Sequence, residues 1–147
     1  MFRVGAYPKL TPSFVERGAP AVRPTVVLLT PTSSGKELAD RLRRAGAYQE
    51  GELFDYLDRE TCRFGLDFSG DVIQDLDEED IDRIRGELGD FSAITVEYSD
   101  ISCIRDLLHD VTQGIDGLID TNYGEILSWA EVLQRLDADP SWDWRSC

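Results

Sequence analysis

The chain has 147 residues, 41% of them hydrophobic, a size and composition typical of one globular domain with a single core. Its first 24 residues carry +3, whereas the remaining 123 carry 11 basic and 28 acidic side chains, or −17. So negative a surface is repelled by nucleic-acid phosphates and by anionic lipid, which excludes both as expected partners and favours basic proteins or cations.

The chain divides into a leader and one folded domain. Residues 1–24 contain four prolines and show no hydrophobic period of 2 or 3.6. This composition predicts a flexible basic leader, which is either mobile or lies across the acidic body. Residues 25–147 carry strand and helix patterns throughout and form the single predicted domain.

The patterns after residue 24 predict strands and helices in the order βαββαβαβα. The run Thr25–Thr30 is apolar and β-branched, as in a buried strand, and Ser34 with Glu37 fits a capping box for the first helix. Turn chemistry at Asn122-Tyr123-Gly124 lets residues 125–127 run back along the preceding strand. The predicted strands are 25–30, 52–58, 62–69, 91–98 and 115–121, and the predicted helices are 34–46, 77–88, 100–111 and 128–136. This pattern predicts an α+β fold, a mostly antiparallel sheet with helices packed on one face.

The cysteines and the apolar runs bear on where the protein resides. Cys62, Cys103 and Cys147 are odd in number, widely spaced and form no C-x-x-C pair, which argues against a disulfide framework and a zinc site. No run approaches the roughly 18 apolar residues of a membrane span, and the N-terminus lacks the apolar stretch of a secretory signal. The sequence therefore predicts reduced thiols and a cytoplasmic protein without membrane attachment.

No residue pattern reaches the specificity of a catalytic signature. The turn before the first helix resembles a phosphate-binding loop only in position, because Thr30 stands where glycine is needed and Glu37 where a Mg²⁺-binding hydroxyl is needed. His109, the only histidine, projects away from the apolar stripe of its helix. Neither Ser102 nor Cys103 has a base at motif spacing. We therefore expect no catalytic residue, no cofactor, no metal and no enzymatic activity.

The acidic block from Asp67 to Asp90 is the strongest candidate for a functional surface. It holds ten carboxylates against two arginines, and several of the acids open the second predicted helix, whose dipole stabilises them there. Three interpretations are open: a solvated helix start, a surface that recognises a cationic protein, or a metal site. A calcium loop fits poorly, because its glycine and bidentate carboxylate positions hold Asp80 and Gly86. The residues expected to contact a basic partner are Asp75, Asp77, Glu78, Glu79, Asp80 and Asp82.

Two tryptophans beyond the last predicted helix are further candidates. Trp142 and Trp144 lie beside carboxylates, and aromatic anchors next to charged groups are typical of protein interfaces. Alternatively, the tail folds back and one or both rings cover an open edge of the core. Both interpretations stay open, and both residues are included among the expected partner contacts.

The stretch from Ile94 to Leu136 carries a family resemblance. It contains the strand Ile94–Tyr98, a helix, the segment Gly117–Leu127 and a short closing helix. This segment resembles the C-terminal half of small acidic α+β immunity proteins from bacterial polymorphic-toxin and contact-dependent inhibition systems. The resemblance implies a cytoplasmic, non-catalytic inhibitor, and the negative charge suits a basic partner such as a nuclease toxin. The resemblance assigns no residue of this chain to the contact with a toxin.

Three hypotheses of different classes follow from the sequence. The leading one is an immunity protein that occludes a cognate toxin, with the acidic residues pairing with the toxin's Lys and Arg side chains. The alternative is a regulatory or scaffold module that binds another basic protein. The third is a small enzyme that uses clustered carboxylates, with or without a metal.

Overall fold

The computed structural model describes residues 23–146, which form one β-sheet covered by helices. The strands are β1 (Thr25–Pro31), β2 (Ala47–Gln49), β3 (Asp55–Arg59), β4 (Cys62–Asp67), β5 (Phe91–Glu97), β6 (Leu118–Asp120) and β7 (Ile126–Ser128). The helices are α1 (Thr32–Arg43), α2 (Glu78–Leu88), α3 (Ile101–Val111) and α4 (Trp129–Ala138), with short 3-10 turns at Asp71–Asp75 and Trp144–Ser146.

The sheet has seven strands in the order β2-β3-β4-β5-β1-β6-β7, and every neighbouring pair is antiparallel. Strand β1 lies near the centre, where it pairs with β5 along its whole length, from Thr25 opposite Glu97 to Pro31 opposite Phe91. The predicted α+β class with a mostly antiparallel sheet is thereby confirmed. The predicted element order also holds once β2 and β7 are added to it.

Helices cover both faces of this sheet. Val26 and Leu28 of β1 face the larger core cluster with α1, α3 and α4, whereas Val27 and Leu29 face a smaller cluster that includes Ile84 of α2. The expectation of helices on one face therefore holds for three of the four, and α2 lies on the other. The physical reason is visible in β1, since its four consecutive apolar residues, Val26–Leu29, face the two sides of the sheet alternately and need cover on both.

The first helix begins two residues before the predicted cap. Residue Pro31 occupies the N-cap position, and no side chain caps the helix. The backbone N–H of Thr32 instead donates to the carbonyl of Asp90 at 3.0 Å, so a neighbouring segment satisfies one of the free donors of the first turn. The expected capping box of Ser34 and Glu37 is therefore wrong. Side chains cap the three other helices, where Asp77, Asp100 and Ser128 each accept a hydrogen bond from a backbone N–H of the first turn.

The expected leader falls mostly outside the described residues. Its last two residues, Arg23 and Pro24, contact the end of β5 and the residue after it. The Pro24 carbonyl accepts a hydrogen bond from the backbone N–H of Tyr98 at 3.0 Å, and Arg23 pairs with Glu97 at 3.4 Å. These two residues of the predicted leader thus contact the folded domain.

Cys62 and Cys103 form a disulfide that joins β4 to the first turn of α3. The expectation of reduced thiols is wrong for this pair, whose Cα atoms lie 5.9 Å apart although 41 positions separate them in the chain. No spacing motif marks such a pair, because only the packing of α3 on the sheet brings the two residues together. Among residues 23–146 no helix has the length and apolar character to cross a membrane.

Candidate partner-binding surface

The six acidic residues expected to contact a partner lie together on one side of the sheet. We call them the acidic surface: Asp75, Asp77, Glu78, Glu79, Asp80 and Asp82. Asp75 ends the 3-10 turn that precedes α2, and the others occupy the N-cap and the first turns of α2. Asp80 is half-buried and the other five are exposed. The local sequence explains this placement, because Ile84 and Leu88 pack into the smaller core cluster and leave most of the acids facing solvent.

Part of this negative charge stabilises the helix itself. The Asp77 side chain accepts a hydrogen bond from the backbone N–H of Asp80 at 2.8 Å, which caps α2. Glu78, Glu79 and Asp80 occupy its first turn, where the helix dipole favours carboxylates by about 0.3 to 1 kcal/mol each. The solvated-helix interpretation therefore explains why acids are tolerated here, but not why Asp75 and Asp82 add to the same surface.

Most basic side chains of the domain pair with acids that lie outside the acidic surface. Within residues 23–146, ten of the 12 basic side chains form ion pairs, and none of these pairs involves the acidic surface. The two others, Arg44 and Arg85, are exposed. On α2, Arg83 pairs with Glu87 and donates to the Ile126 carbonyl at 2.7 Å. Residues 23–146 carry a net charge of −16, and the acidic surface is among the acids of this range that no ion pair neutralises, although the charge of Arg83 acts to lower the pKa of Asp80.

The negative charges of the acidic surface contribute to the raised pKa values of two carboxyl groups. Burial raises the pKa of Asp120 at the end of β6, and the charges of Asp80 and Asp77 raise it further, whereas the backbone N–H of Asn122 acts in the opposite direction. Burial likewise raises the pKa of Asp80, with added repulsion from Asp77 and Glu79. The end of β6 is therefore within reach of the field of the acidic surface.

The tryptophans do not join this surface. Trp144 is 1% exposed, belongs to the larger core cluster and donates from Nε1 to the Tyr98 hydroxyl at 2.9 Å. The expectation that Trp144 contacts a partner is therefore wrong, because the tail folds back and inserts the ring into the core. Trp142 is half-buried, packs edge-on against Trp144 and lies under the guanidinium of Arg135. Both rings lie against the core cluster on the face opposite α2.

Tyr123 is an exposed aromatic residue that the sequence pattern identifies only as part of a turn. Its side chain is 50% exposed in the β6–β7 turn, three residues after Asp120. The turn is well fixed: Asn122 has a positive φ of 64° and donates from its side-chain amide to the carbonyl of Thr25 at 3.1 Å. The signal that could have indicated it is the aromatic residue between Asn122 and Gly124, because turn residues of a hairpin face solvent.

The residues that sequence analysis had set aside as catalytic candidates are not brought together. The His109 Nε2 lies 3.0 Å from the Asp137 carboxylate, which links α3 to α4. Ser102 donates to Asp100 at 2.7 Å, and Cys103 is in the disulfide. In the part of the chain that the structure describes, no group of three His, Cys, Asp or Glu side chains is placed to hold a metal ion.

Comparison with protein-family models, with curated protein sequences and with solved structures finds no match to this chain. The segment that carries the resemblance to immunity proteins, Ile94 to Leu136, extends from β5 through α3, β6 and β7 into α4. It includes the Tyr123 turn but not the acidic surface, which lies on α2 earlier in the chain.

Proposed function

We propose that this chain is a non-catalytic acidic binding protein, and that it is an immunity protein that neutralises a cognate bacterial toxin by occluding it. The observation that supports this proposal is the acidic surface, whose six carboxylates form no ion pair within residues 23–146 although most basic side chains of the domain do. A basic partner would supply the missing counter-charges.

Repulsion from these carboxylates adds a cost to the folded chain, because it raises the pKa values of Asp80 and Asp120 beyond the effect of burial, which is the larger cause of both shifts. Such a cost is relieved when Lys or Arg side chains approach, because opposite charge within about 4 to 6 Å favours the ionised carboxylate. Exposed charges of this kind contribute more to the rate and specificity of association than to affinity. The acidic surface therefore serves to attract and orient the partner.

Affinity needs buried area as well as charge. Tyr123 is the exposed aromatic side chain in the turn that follows Asp120, and a fixed turn presents it without much loss of conformational freedom on binding. We assign it the role of an aromatic anchor, presented by the turn that follows β6. Trp142 is half-buried on the opposite face, which leaves it outside this interface.

The test uses the basic, toxin-like product of a neighbouring gene as the partner. The triple variant Glu78→Lys/Glu79→Lys/Asp82→Lys reverses three exposed charges of the acidic surface. We expect it to weaken binding at least about tenfold and to abolish growth rescue on co-expression with the partner. The Tyr123→Ala variant should weaken binding by about 1 to 2 kcal/mol while keeping the charge.

The matched control places the same kind of charge change elsewhere. Glu50 and Glu52 are exposed acids near the far edge of the sheet, so Glu50→Lys/Glu52→Lys changes the net charge by four units without touching the acidic surface. A comparable loss of binding in this control would show that overall charge, and not this surface, determines recognition. Failure of the wild-type chain to bind or protect would defeat the immunity proposal itself.

Salt dependence tests binding through the acidic surface, and growth rescue separates the two binding hypotheses. Association through the acidic surface should slow steeply between low salt and about 0.5 M, because exposed charges are screened over the Debye length. A regulatory module for another basic protein would share this salt dependence but would not protect cells against a toxin. The cytoplasmic location belongs to the same proposal, and fractionation of the native cells tests it.

A further inference from the structure

A cavity of about 300 Å³ lies beside the Cys62–Cys103 disulfide. Both cysteines line it, together with the turn between β3 and β4 and the outer side of α3. Its volume is at the lower end of the range for small-molecule sites, and it is large enough for a short-chain thiol. A disulfide in the wall of a cavity differs from one sealed in a core, because a small reagent can approach it while the chain stays folded.

The two sulfur-bearing residues are unequally accessible. Cys62, at the start of β4 near the sheet surface, is half-buried, whereas Cys103 is only 7% exposed and belongs to the larger core cluster. A nucleophile that enters from the cavity must approach one sulfur along the axis of the S–S bond. Access therefore favours attack at Cys62, with Cys103 as the departing sulfur.

The surroundings of Cys103 suit a departing thiolate. It lies in the first turn of α3, where free backbone N–H groups and the helix dipole stabilise negative charge. The Ser99 hydroxyl donates towards its sulfur at 3.9 Å. The Asp100 carboxylate offsets part of the helix field, because it accepts from the Cys103 backbone N–H at 2.9 Å. The Ser99 hydroxyl is therefore the group aimed at the departing sulfur.

The charges around the cavity determine which thiol it admits. Glu60, Asp106 and Asp110 line it against one arginine, Arg59; this arginine pairs with Asp110, and Arg105, outside the lining, pairs with Asp106. His109 also lines it, and its Nε2 is occupied by Asp137. With a neutral histidine the lining carries a charge of −2, which attracts a cationic thiol and repels an anionic one.

We propose that this cavity is the access site through which a small cationic thiol, an aminothiol, reduces the Cys62–Cys103 disulfide. The aminothiolate forms a bond to the Cys62 sulfur, the Cys62–Cys103 bond breaks, and its electron pair leaves on Cys103, which takes a proton from solvent. A second aminothiolate then attacks the mixed disulfide at the thiol-derived sulfur and releases Cys62. In total, two aminothiols are oxidised to one aminothiol disulfide and the protein gains two thiols.

The first experiment measures the rate of reduction with three probe thiols of different charge. These are cysteamine, neutral 2-mercaptoethanol and anionic 2-mercaptoethanesulfonate, each corrected for its thiolate fraction, with a Cys147→Ser chain that leaves Cys62 and Cys103 as its only cysteines. At low salt we expect cysteamine to react about tenfold faster than the anionic thiol, and 1 M salt to reduce the difference to about twofold. Equal rates at low salt would overturn the proposal.

The site of attack is read from the trapped mixed disulfide. After brief reaction with cysteamine and alkylation of the free thiol, peptide mapping should place the cysteamine adduct on Cys62 and the alkyl group on Cys103. The reverse distribution would overturn the assignment. The Ser99→Ala variant should slow the reaction about two- to fivefold, because the departing thiolate loses a donor. Ser102→Ala is the matched control, since its hydroxyl contacts Asp100 and not the sulfur.

Dependence on thiol concentration distinguishes attack on the folded chain from attack after unfolding. Reduction through the cavity should be first-order in thiol at all concentrations and insensitive to low urea. A rate that saturates with thiol and rises steeply with urea would show that the disulfide reacts only when the domain opens, which would overturn the proposal. These outcomes do not depend on the partner, so they leave the proposed function to its own test.

Discussion

The substitution Trp144→Phe tests whether the C-terminal tail is part of the core. The indole is 1% exposed, its Nε1 donates to the hydroxyl of Tyr98 at 2.9 Å, and the two rings meet edge to face with centroids 6.0 Å apart. Phenylalanine keeps an aromatic ring but removes the donor and part of the buried area. Because Tyr98 is itself fully buried, its hydroxyl would be left without that partner.

The magnitude follows from these contacts. A buried polar group that loses its partner costs about 1 to 3 kcal/mol, and the weaker aromatic contact costs about 0.5 to 1.5 kcal/mol. We therefore expect Trp144→Phe to lower the free energy of unfolding by about 2 to 4 kcal/mol. The Tyr98→Phe variant should also destabilise the chain, because the Nε1–H of Trp144 then lacks its acceptor.

Urea unfolding followed by circular dichroism measures both variants and the double variant. Since Trp144 and Tyr98 share one hydrogen bond, the double variant should lose less than the sum of the singles, with a coupling of about 1 to 2 kcal/mol. The control is Trp142→Phe, which changes a half-buried ring and should cost under about 1 kcal/mol. A loss below about 0.5 kcal/mol for Trp144→Phe, or additive singles, would refute a docked tail.

Four further substitutions test local features of the fold. Gly117→Ala should destabilise by about 1 to 3 kcal/mol or more, because its Cβ would lie 2.0 Å from the Trp129 ring. Gly86→Ala, in open space on α2, should instead stabilise by up to about 1 kcal/mol in the same unfolding assay. Burial raises the pKa of Asp120, so its ionisation destabilises the folded state above its ordinary pKa. Asp120→Asn should therefore increase stability at neutral pH, and this gain should vanish as the pH falls below about 4. Asp58→Asn should reduce stability at neutral pH, because the hydrogen bond from Arg63 lowers the pKa of that carboxyl. A loss of stability at neutral pH for Asp120→Asn, or a gain for Asp58→Asn, would contradict this reasoning.

Local sequence determined most of the elements and three of the helix caps. Hydrophobic periods of 2 and 3.6 place strands and helices because each side chain's direction follows from the backbone of its own segment. The caps at Asp77, Asp100 and Ser128 are local too, since each side chain bonds a backbone N–H three residues away. The acidic surface was predictable for the same reason, because five of its residues lie on or at the cap of a single helix.

Tertiary structure alone decided which distant residues meet. The Cys62–Cys103 bond, the insertion of Trp144 beside Tyr98 and the placement of α2 on the second face all join segments far apart in the chain. No periodicity encodes such pairings, because they depend on how the sheet and helices pack as a whole. The sequence by itself therefore determined the charge, the elements and the acidic surface, whereas packing decided the disulfide, the buried tail and the separation of the tryptophans from the acids.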